Sequence, residues 1–360
     1  MTDVPEQRSQ RRIRLLLVED SATELYMLKR LLSAAPDMEV VGTAADGRAA
    51  LTLLPQLRPD LVITDYHMPV MDGMEFILKA MQQHPCVILV LSVAVQSFHK
   101  DNIFRLLSAG ALDVLAKPLG HDGGIGGREA QELLDKIRAI AQAPSMSRRL
   151  AVAAPAVRPT PADTPVIPSP LRKRIELIAL GASTGGPQVL NRILELLPKT
   201  FPVPLVCVQH ISQGFLDGML SWLQTQSALK LELARPGEVP RPGTVYFAPE
   251  GRHLLLDANR RFSVASCTAA DVHCPQVDRL LTSVARHYGA AALGVLLSGM
   301  GRDGAVGLKA MRDAGAPTIA QDAATSVIFG MPAVAIELGA AQYVLPTDEI
   351  AAMLSRFARR

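Results

Sequence analysis

The 360-residue sequence predicts two α/β domains, each built on a parallel sheet and joined by an extended linker. Three observations carry that expectation. Between residues 13 and 142, apolar strand-like runs alternate with helical periodicity five times, as in strands joined by crossover helices. Between residues 143 and 172, Pro144, Pro155, Pro159, Pro161, Pro165, Pro168 and Pro170 are scattered among Ala, Val, Thr and Ser. That composition holds no regular element and marks a partly extended linker. Beyond Lys173 a second series of apolar runs resumes, several ending on small or polar loops.

In the first domain, residues 12–142, the strand runs are Ile13–Val18, Glu39–Thr43, Leu61–Thr64, Val87–Leu91 and Ala111–Leu115. Short apolar runs suit strands covered on both faces, so the expected fold is a (βα)5 unit with a parallel five-stranded sheet. Helical spacing fills the gaps, as in Glu24-Leu25-Tyr26-Met27-Leu28-Lys29-Arg30-Leu31-Leu32. A glycine-rich loop, Gly120 to Gly127, precedes a fifth helix over Arg128–Ala141.

The second domain, residues 173–357, opens with a buried-strand run, Ile175–Leu180, and a helix-like run, Pro187–Leu194. Val206–His210 forms a second strand, and Val295–Leu297 ends a third. Leu229–Ser266 has short alternating runs broken by Pro-Gly and Asp-Ala-Asn signals, which predict a β-hairpin. The expected architecture is a doubly wound, mostly parallel α/β domain with that hairpin appended.

Composition narrows the function. Apolar residues make up 49% and aromatics only 4%, so the cores are built from Leu, Val, Ile and Ala. No apolar run reaches the roughly 18 residues of a membrane span, which excludes membrane insertion from the reading. Met1 to Gln10 lacks the apolar stretch of a signal peptide, and a cytoplasmic location is expected. A net charge of +3, with basic ends that lack interleaved aromatics, gives no footprint for nucleic acid. Cys86 and Cys207 lie in apolar runs and read as core residues. Cys267, Asp271, His273 and Cys274 fit no common zinc spacing, and His253, His273 and His287 read as structural or surface residues.

Two constellations carry chemistry. In Gly181-Ala182-Ser183-Thr184-Gly185-Gly186 a serine sits on a glycine-lined turn from strand to helix, where small neighbours let the hydroxyl stand clear. The helix that follows offers free N–H groups and a positive dipole end to an oxyanion. His210 ends the next strand, and Ser298-Gly299-Met300-Gly301-Arg302-Asp303-Gly304 follows the third. Nucleophile, base and base-orienting acid at strand ends would share one edge of a parallel sheet. Asp303 also suits the helix N-cap of Gly304–Lys309. In the first domain, Glu19 and Asp20 follow the first strand, and Asp65 ends the third ahead of Met68-Pro69-Val70-Met71-Asp72-Gly73. Ser92 and Lys117 follow the fourth and fifth. Three carboxylates at one edge invite a hard cation such as Mg²⁺, and a hydroxyl and an ammonium suit a phosphoryl group.

The Ser183, His210 and Asp303 segments, with Tyr246–Leu254 and Ala320–Pro332, resemble the catalytic domain of the chemoreceptor protein-glutamate methylesterases, the CheB family, over about residues 174–350. The Glu19, Asp20, Asp65, Ser92 and Lys117 set of the first domain, with Met68–Gly73, resembles a response-regulator receiver over about residues 12–141. The resemblance implies phosphorylation-regulated hydrolysis of glutamyl γ-methyl esters on methyl-accepting chemoreceptors, with receptor glutamine deamidation in some members. It implies Ser183 as nucleophile, His210 as base, Asp303 as its orienting acid, and the Met300 N–H as oxyanion donor. It implies Asp65 as phosphoacceptor, with Glu19, Asp20 and Asp65 on Mg²⁺ and Ser92 and Lys117 in support. The esterase step needs no cofactor, the phosphodonor is the histidine kinase of the chemosensory system, and the chain is expected to be a monomer.

Two departures stand out. Receivers commonly carry an aromatic residue three positions before the lysine, where this chain has Val114. The helix start His273-Cys274-Pro275-Gln276-Val277-Asp278 has Cys274 and Gln276 where the family usually has arginine and serine. Three other readings compete. A general α/β-hydrolase would order its triad Ser, Asp, His, yet no histidine follows Asp303. A DNA-binding output would need a basic recognition helix, absent from the second half. A receptor-docking scaffold would not need the three catalytic residues.

Overall fold

The computed structural model describes residues 11–92, 104–118, 127–142 and 174–358, which belong to two units. The linker 143–172, residues 1–10 and most of the Gly120–Gly127 loop lie outside the described residues.

The first unit is a five-stranded parallel sheet of β1 (Ile13–Val18), β2 (Met38–Ala44), β3 (Leu61–Asp65), β4 (Ile88–Ser92) and β5 (Asp113–Ala116). Its order is β2-β1-β3-β4-β5. Leu15 to Val18 and Leu61 to Ile63 are buried on both faces, which is why their sequences run apolar instead of alternating. Helices α1 (Ala22–Ser33), α2 (Gly47–Leu57) and α3 (Gly73–Gln83) are started by Ser21, Asp46 and Asp72, whose side chains accept the N–H of Glu24, Ala49 and Glu75. A short α4 (Arg105–Ala109) precedes β5, and α5 (Arg128–Gln142) closes the unit. A buried ion pair of 2.9 Å, Lys136 with Asp113, ties α5 to the start of β5. The sequence places the fifth strand two residues early, because Ala111 and Leu112 are as buried as the strand itself.

The second unit holds a seven-stranded sheet, parallel throughout, in the order β14-β13-β12-β6-β7-β9-β8. The strands are β6 (Leu177–Ala182), β7 (Leu205–Gln209), β8 (Lys230–Leu233), β9 (Thr244–Phe247), β12 (Ala292–Leu296), β13 (Thr318–Gln321) and β14 (Tyr343–Leu345). Its helices are α6 (Gly186–Leu196), α7 (Leu216–Gln226), α8 (Val277–Tyr288), α9 (Ala305–Asp313), α10 (Met331–Glu337) and α11 (Thr347–Ala358). The expected hairpin exists as β10 (Arg252–Leu256) with β11 (Phe262–Ser266), turned at Asp257, whose Oδ1 accepts from Asn259 and Arg261. It forms a separate antiparallel pair against α8, where the Leu256 N–H donates to Ser283 Oγ at 3.0 Å. The alternating runs just before it, β8 and β9, instead extend the main sheet as parallel strands.

Among the described residues, no helix is long and apolar enough to cross a membrane.

Candidate active site

Strand order decides where chemistry can collect. From β6 the chain builds β7, β9 and β8 on one side of the sheet, then β12, β13 and β14 on the other. The connections therefore part between β6 and β12, and in open parallel sheets the carboxyl ends of such strands are where ligands bind. Ser183 follows β6, His210 follows β7, and Met300 and Asp303 lie in the loop after β12. One edge thus gathers all four residues.

Local bonds fix each position. The Ser183 N–H donates to the Ser298 carbonyl at 3.0 Å, and the His210 N–H to Ala182 at 2.9 Å. Gln209 donates from Nε2 to the carbonyls of Ser183 and His210, both at 2.8 Å, so one buried amide holds both loops. Ser298 Oγ donates to the Thr184 carbonyl at 2.8 Å and accepts from Ile328 at 3.0 Å, while its N–H donates to Gln321 Oε1 at 2.7 Å. A Cβ on Gly299 would lie 2.7 Å from the Ser183 Cβ, so only glycine lets the loop pass this close to the serine.

His210 and Asp303 are in contact. His210 Nε2 lies 2.9 Å from Asp303 Oδ2, both side chains being about nine-tenths buried. Asp303 also accepts the Val277 N–H at 2.8 Å and the Asp278 N–H at 2.9 Å. Asp303 thus caps α8, not the helix that follows it in sequence, and the cap and the histidine contact coexist on one carboxylate. Burial alone would raise this carboxyl. The bond to His210, its charge and the two backbone donors outweigh that and hold the group well below the usual carboxylate range. Asp278 is shifted the other way, by burial and by its nearness to Asp303.

With Nε2 facing Asp303, His210 Nδ1 is buried and has no hydrogen-bond partner. It is the nitrogen left with a lone pair. Among the described residues Ser183 makes no side-chain hydrogen bond and the Met300 N–H makes no backbone one. The ring of His273, read from the sequence as structural or surface, stacks on that of His210, with centroids 4.3 Å apart and planes 18° apart. Glu250, in the Tyr246–Leu254 segment, accepts the N–H groups of Gly214 and Leu216 and so starts α7.

In the first unit the chain leaves β1 toward β2 on one side and β3 on the other, and acidic residues follow both central strands. Lys117 Nζ lies 2.7 Å from Asp65 Oδ2 and 2.9 Å from Glu19 Oε2, and it also bonds Glu24. Burial pulls the ammonium down, but its bonds to Asp65, Glu24 and Glu19 reverse this and raise it overall. Glu19 is raised by burial. The sequence selects Glu19 and Asp65 but not Glu24, which takes part from the first turn of α1. Asp20 is exposed and stands outside the set held by Lys117. Ser92 and Val114 are buried at the ends of β4 and within β5.

The two units define a class: two parallel-sheet α/β units in one chain, one with an acid cluster around Lys117 and one with Ser183, His210 and Asp303 at a single sheet edge. Residues 15–124 match the response regulator receiver domain model, and residues 178–354 match the CheB methylesterase model. The chain is 40% identical over 352 residues to protein-glutamate methylesterase/protein-glutamine glutaminase 1 of Syntrophus aciditrophicus, covering 96% of this chain and 98% of that one. It is 42% identical over 355 residues to protein-glutamate methylesterase/protein-glutamine glutaminase 2 of Anaeromyxobacter dehalogenans, covering 97% and 98%. The crystal structure of the Thermotoga maritima CheB methylesterase catalytic domain is similar at 39% identity and a TM-score of 0.49, over 51% of this chain and 98% of that one. The chain belongs to the CheB methylesterase family, with a response regulator receiver domain ahead of the methylesterase domain.

Proposed function

We propose that the chain hydrolyses glutamyl γ-methyl esters on methyl-accepting chemoreceptors, and that phosphorylation of Asp65 regulates this. The observation that carries the reading is the His210–Asp303 contact at the sheet edge that bears Ser183, in a family member matched along nearly its whole length. Ser183 Oγ attacks the ester carbonyl, and His210 Nδ1 takes the hydroxyl proton. Asp303, kept ionised, balances the imidazolium through Nε2. The Met300 N–H donates to the oxyanion. His210 returns the proton to the leaving methoxide, methanol departs, and water hydrolyses the acyl-enzyme to glutamate. The same attack on a glutamine side chain would release ammonia, the activity that the relatives' names also carry.

In the first unit Asp65 is the phosphoacceptor, and a histidine kinase of the chemosensory system is the donor. Buried Glu19 and Asp65 present carboxylate oxygens at one edge beside the Lys117 ammonium, and oxygen donors of this kind suit Mg²⁺. Glu19, Asp20 and Asp65 would hold the ion, which when bound offsets phosphoryl charge. Lys117 and Ser92 face the phosphoryl group as donors. At the entrance to α8, Cys274 and Gln276 stand where relatives usually carry other residues, and they adjust the preference for the receptor segment.

The test is methanol release from methylated receptor membranes, with and without a small phosphodonor. Release is expected from the wild type, raised by the donor, and lost by several orders of magnitude in Ser183→Ala. Equal release by a folded Ser183→Ala protein would sink the assignment.

A further inference from the structure

The segment from Cys267 to Gln276 joins β11 to α8 and is braced along its length. Asp271 Oδ2 accepts from the Thr268 N–H at 2.8 Å and from Thr268 Oγ1 at 2.9 Å. Arg279 of α8 donates to Asp271 Oδ1 and to Gln276 Oε1, both at 2.7 Å. A disulfide joins Cys267 to Cys274. Fully buried His253 accepts the Gln276 N–H on Nδ1 at 3.2 Å, which places its proton on Nε2, 3.2 Å from Asp271 Oδ2. The two sulfurs and the imidazole lie within 4.8 Å of one another, and with the sulfurs joined to each other neither is a thiolate free to bind a metal.

His273, next to Cys274, is the residue that this brace delivers to the site, stacked on His210. We propose that His273 is a positioning residue for His210, held at stacking height by the Cys267–Cys274 bond; this rests on the reading of His210 as the base. A ring bonded at one nitrogen alone can rock about that bond. A parallel ring on its face stops the rocking and excludes water from that side. Charged groups near the pair include Asp303 from the loop after β12 and Asp278 at the start of α8, which bears on His210 through Asp303. A dithiol reductant would release the brace. It supplies two electrons and two protons, the Cys267–Cys274 bond becomes two thiols, and the reductant closes to its own disulfide.

The experiment compares full-length wild type, His273→Ala, His273→Phe and a Cys267→Ser/Cys274→Ser variant. One readout is the NMR titration of the His210 ring, which needs no substrate. The other is kcat/KM for methyl-ester hydrolysis against pH. His273→Ala should lower kcat/KM about tenfold. It should also change the His210 midpoint and the acid limb of the profile. His273→Phe should restore most of the rate, because the flat ring remains. The cysteine variant and dithiol-treated wild type should behave like His273→Ala, and dithiol should leave His273→Ala unchanged. A His273→Ala protein with the wild-type midpoint and rate overturns the positioning role. One zinc per purified chain by elemental analysis overturns the disulfide brace. A wild type that hydrolyses no methyl ester, while the midpoint still shifts in His273→Ala, fails the substrate reading and leaves the stacking role standing.

Discussion

Replacing Asp303 with asparagine keeps the volume and removes the charge and one acceptor. Oδ2 accepts from His210 Nε2 at 2.9 Å and from Val277 at 2.8 Å, while Oδ1 accepts from Asp278 at 2.9 Å. An asparagine NH₂ at the Oδ2 position would face two donors, but at the Oδ1 position it would face one. The second placement wins, and it leaves one buried N–H unpaired at about 1–3 kcal/mol. His210 then keeps a neutral acceptor and loses the charge that balances its protonated form, so kcat should fall about 10⁴-fold with the fold retained. The same change has a pH signature. The Asp303 carboxyl is lower in the folded chain than in the unfolded one, so its stabilisation is complete above about pH 4 and fades as pH falls through the folded value. Asparagine has no such ionisation. The gap in unfolding free energy between the two proteins should be about 2–4 kcal/mol at pH 7 and shrink between about pH 5 and pH 2. Urea unfolding read by Trp222, the chain's one tryptophan and a buried residue of the second unit, measures it. A gap constant across that range, or a folded variant with kcat within tenfold of wild type, refutes the reasoning.

Gly185→Ala should destabilise the second unit by about 1–3 kcal/mol in the same urea assay, since φ is +76° there and a Cβ would meet the Val327 Cβ at 2.2 Å. With Mg²⁺ and a small phosphodonor, Asp65→Asn should take up no acid-labile and base-labile phosphoryl label; label retained on another residue would displace Asp65 from that role. A fragment starting near Lys173 should release methanol faster than the unphosphorylated full chain and ignore phosphodonor. About thirty residues separate the two domains, so an inhibitory contact between them, if it forms, acts at an effective concentration on the order of millimolar. A folded fragment slower than its parent would show that the first unit does not inhibit.

Much of the fold was legible because both sheets are buried on two faces, and such strands write themselves as unbroken apolar runs. Ile13–Val18 and Leu205–Gln209 fall within a residue of where the sequence puts them. The run from Leu229 to Ser266 was less legible. Lys230–Leu233 and Arg252–Leu256 are both short and both flanked by turn residues, yet one pairs in parallel within the main sheet and the other pairs antiparallel in the hairpin. Local pattern sets strand existence, whereas partner choice depends on crossovers that no short window contains.

The site divides in the same way. Ser183 and His210 directly follow strand-like runs and Asp303 lies in the loop after a third, so topology brings all three to one edge once the sheet is parallel. Glu24 and His273 lack that signal. Glu24 lies in the first turn of a helix, where an acid is ordinary, and it meets Lys117 across 93 positions of sequence. His273 follows a loop whose course depends on a disulfide, an Asp271 turn and a histidine from β10, none visible as a spacing. Asp303 shows why a bland reading and a functional one need not exclude each other. As an acid before a helix it signals a cap, and it does cap one, α8. In capping the helix that begins just beyond His273, the same carboxylate fixes the approach of that loop to His210. The orientation of His210 and the entry of α8 are therefore set by one side chain, and a substitution at Asp303 would disturb both of the contacts that hold the imidazole.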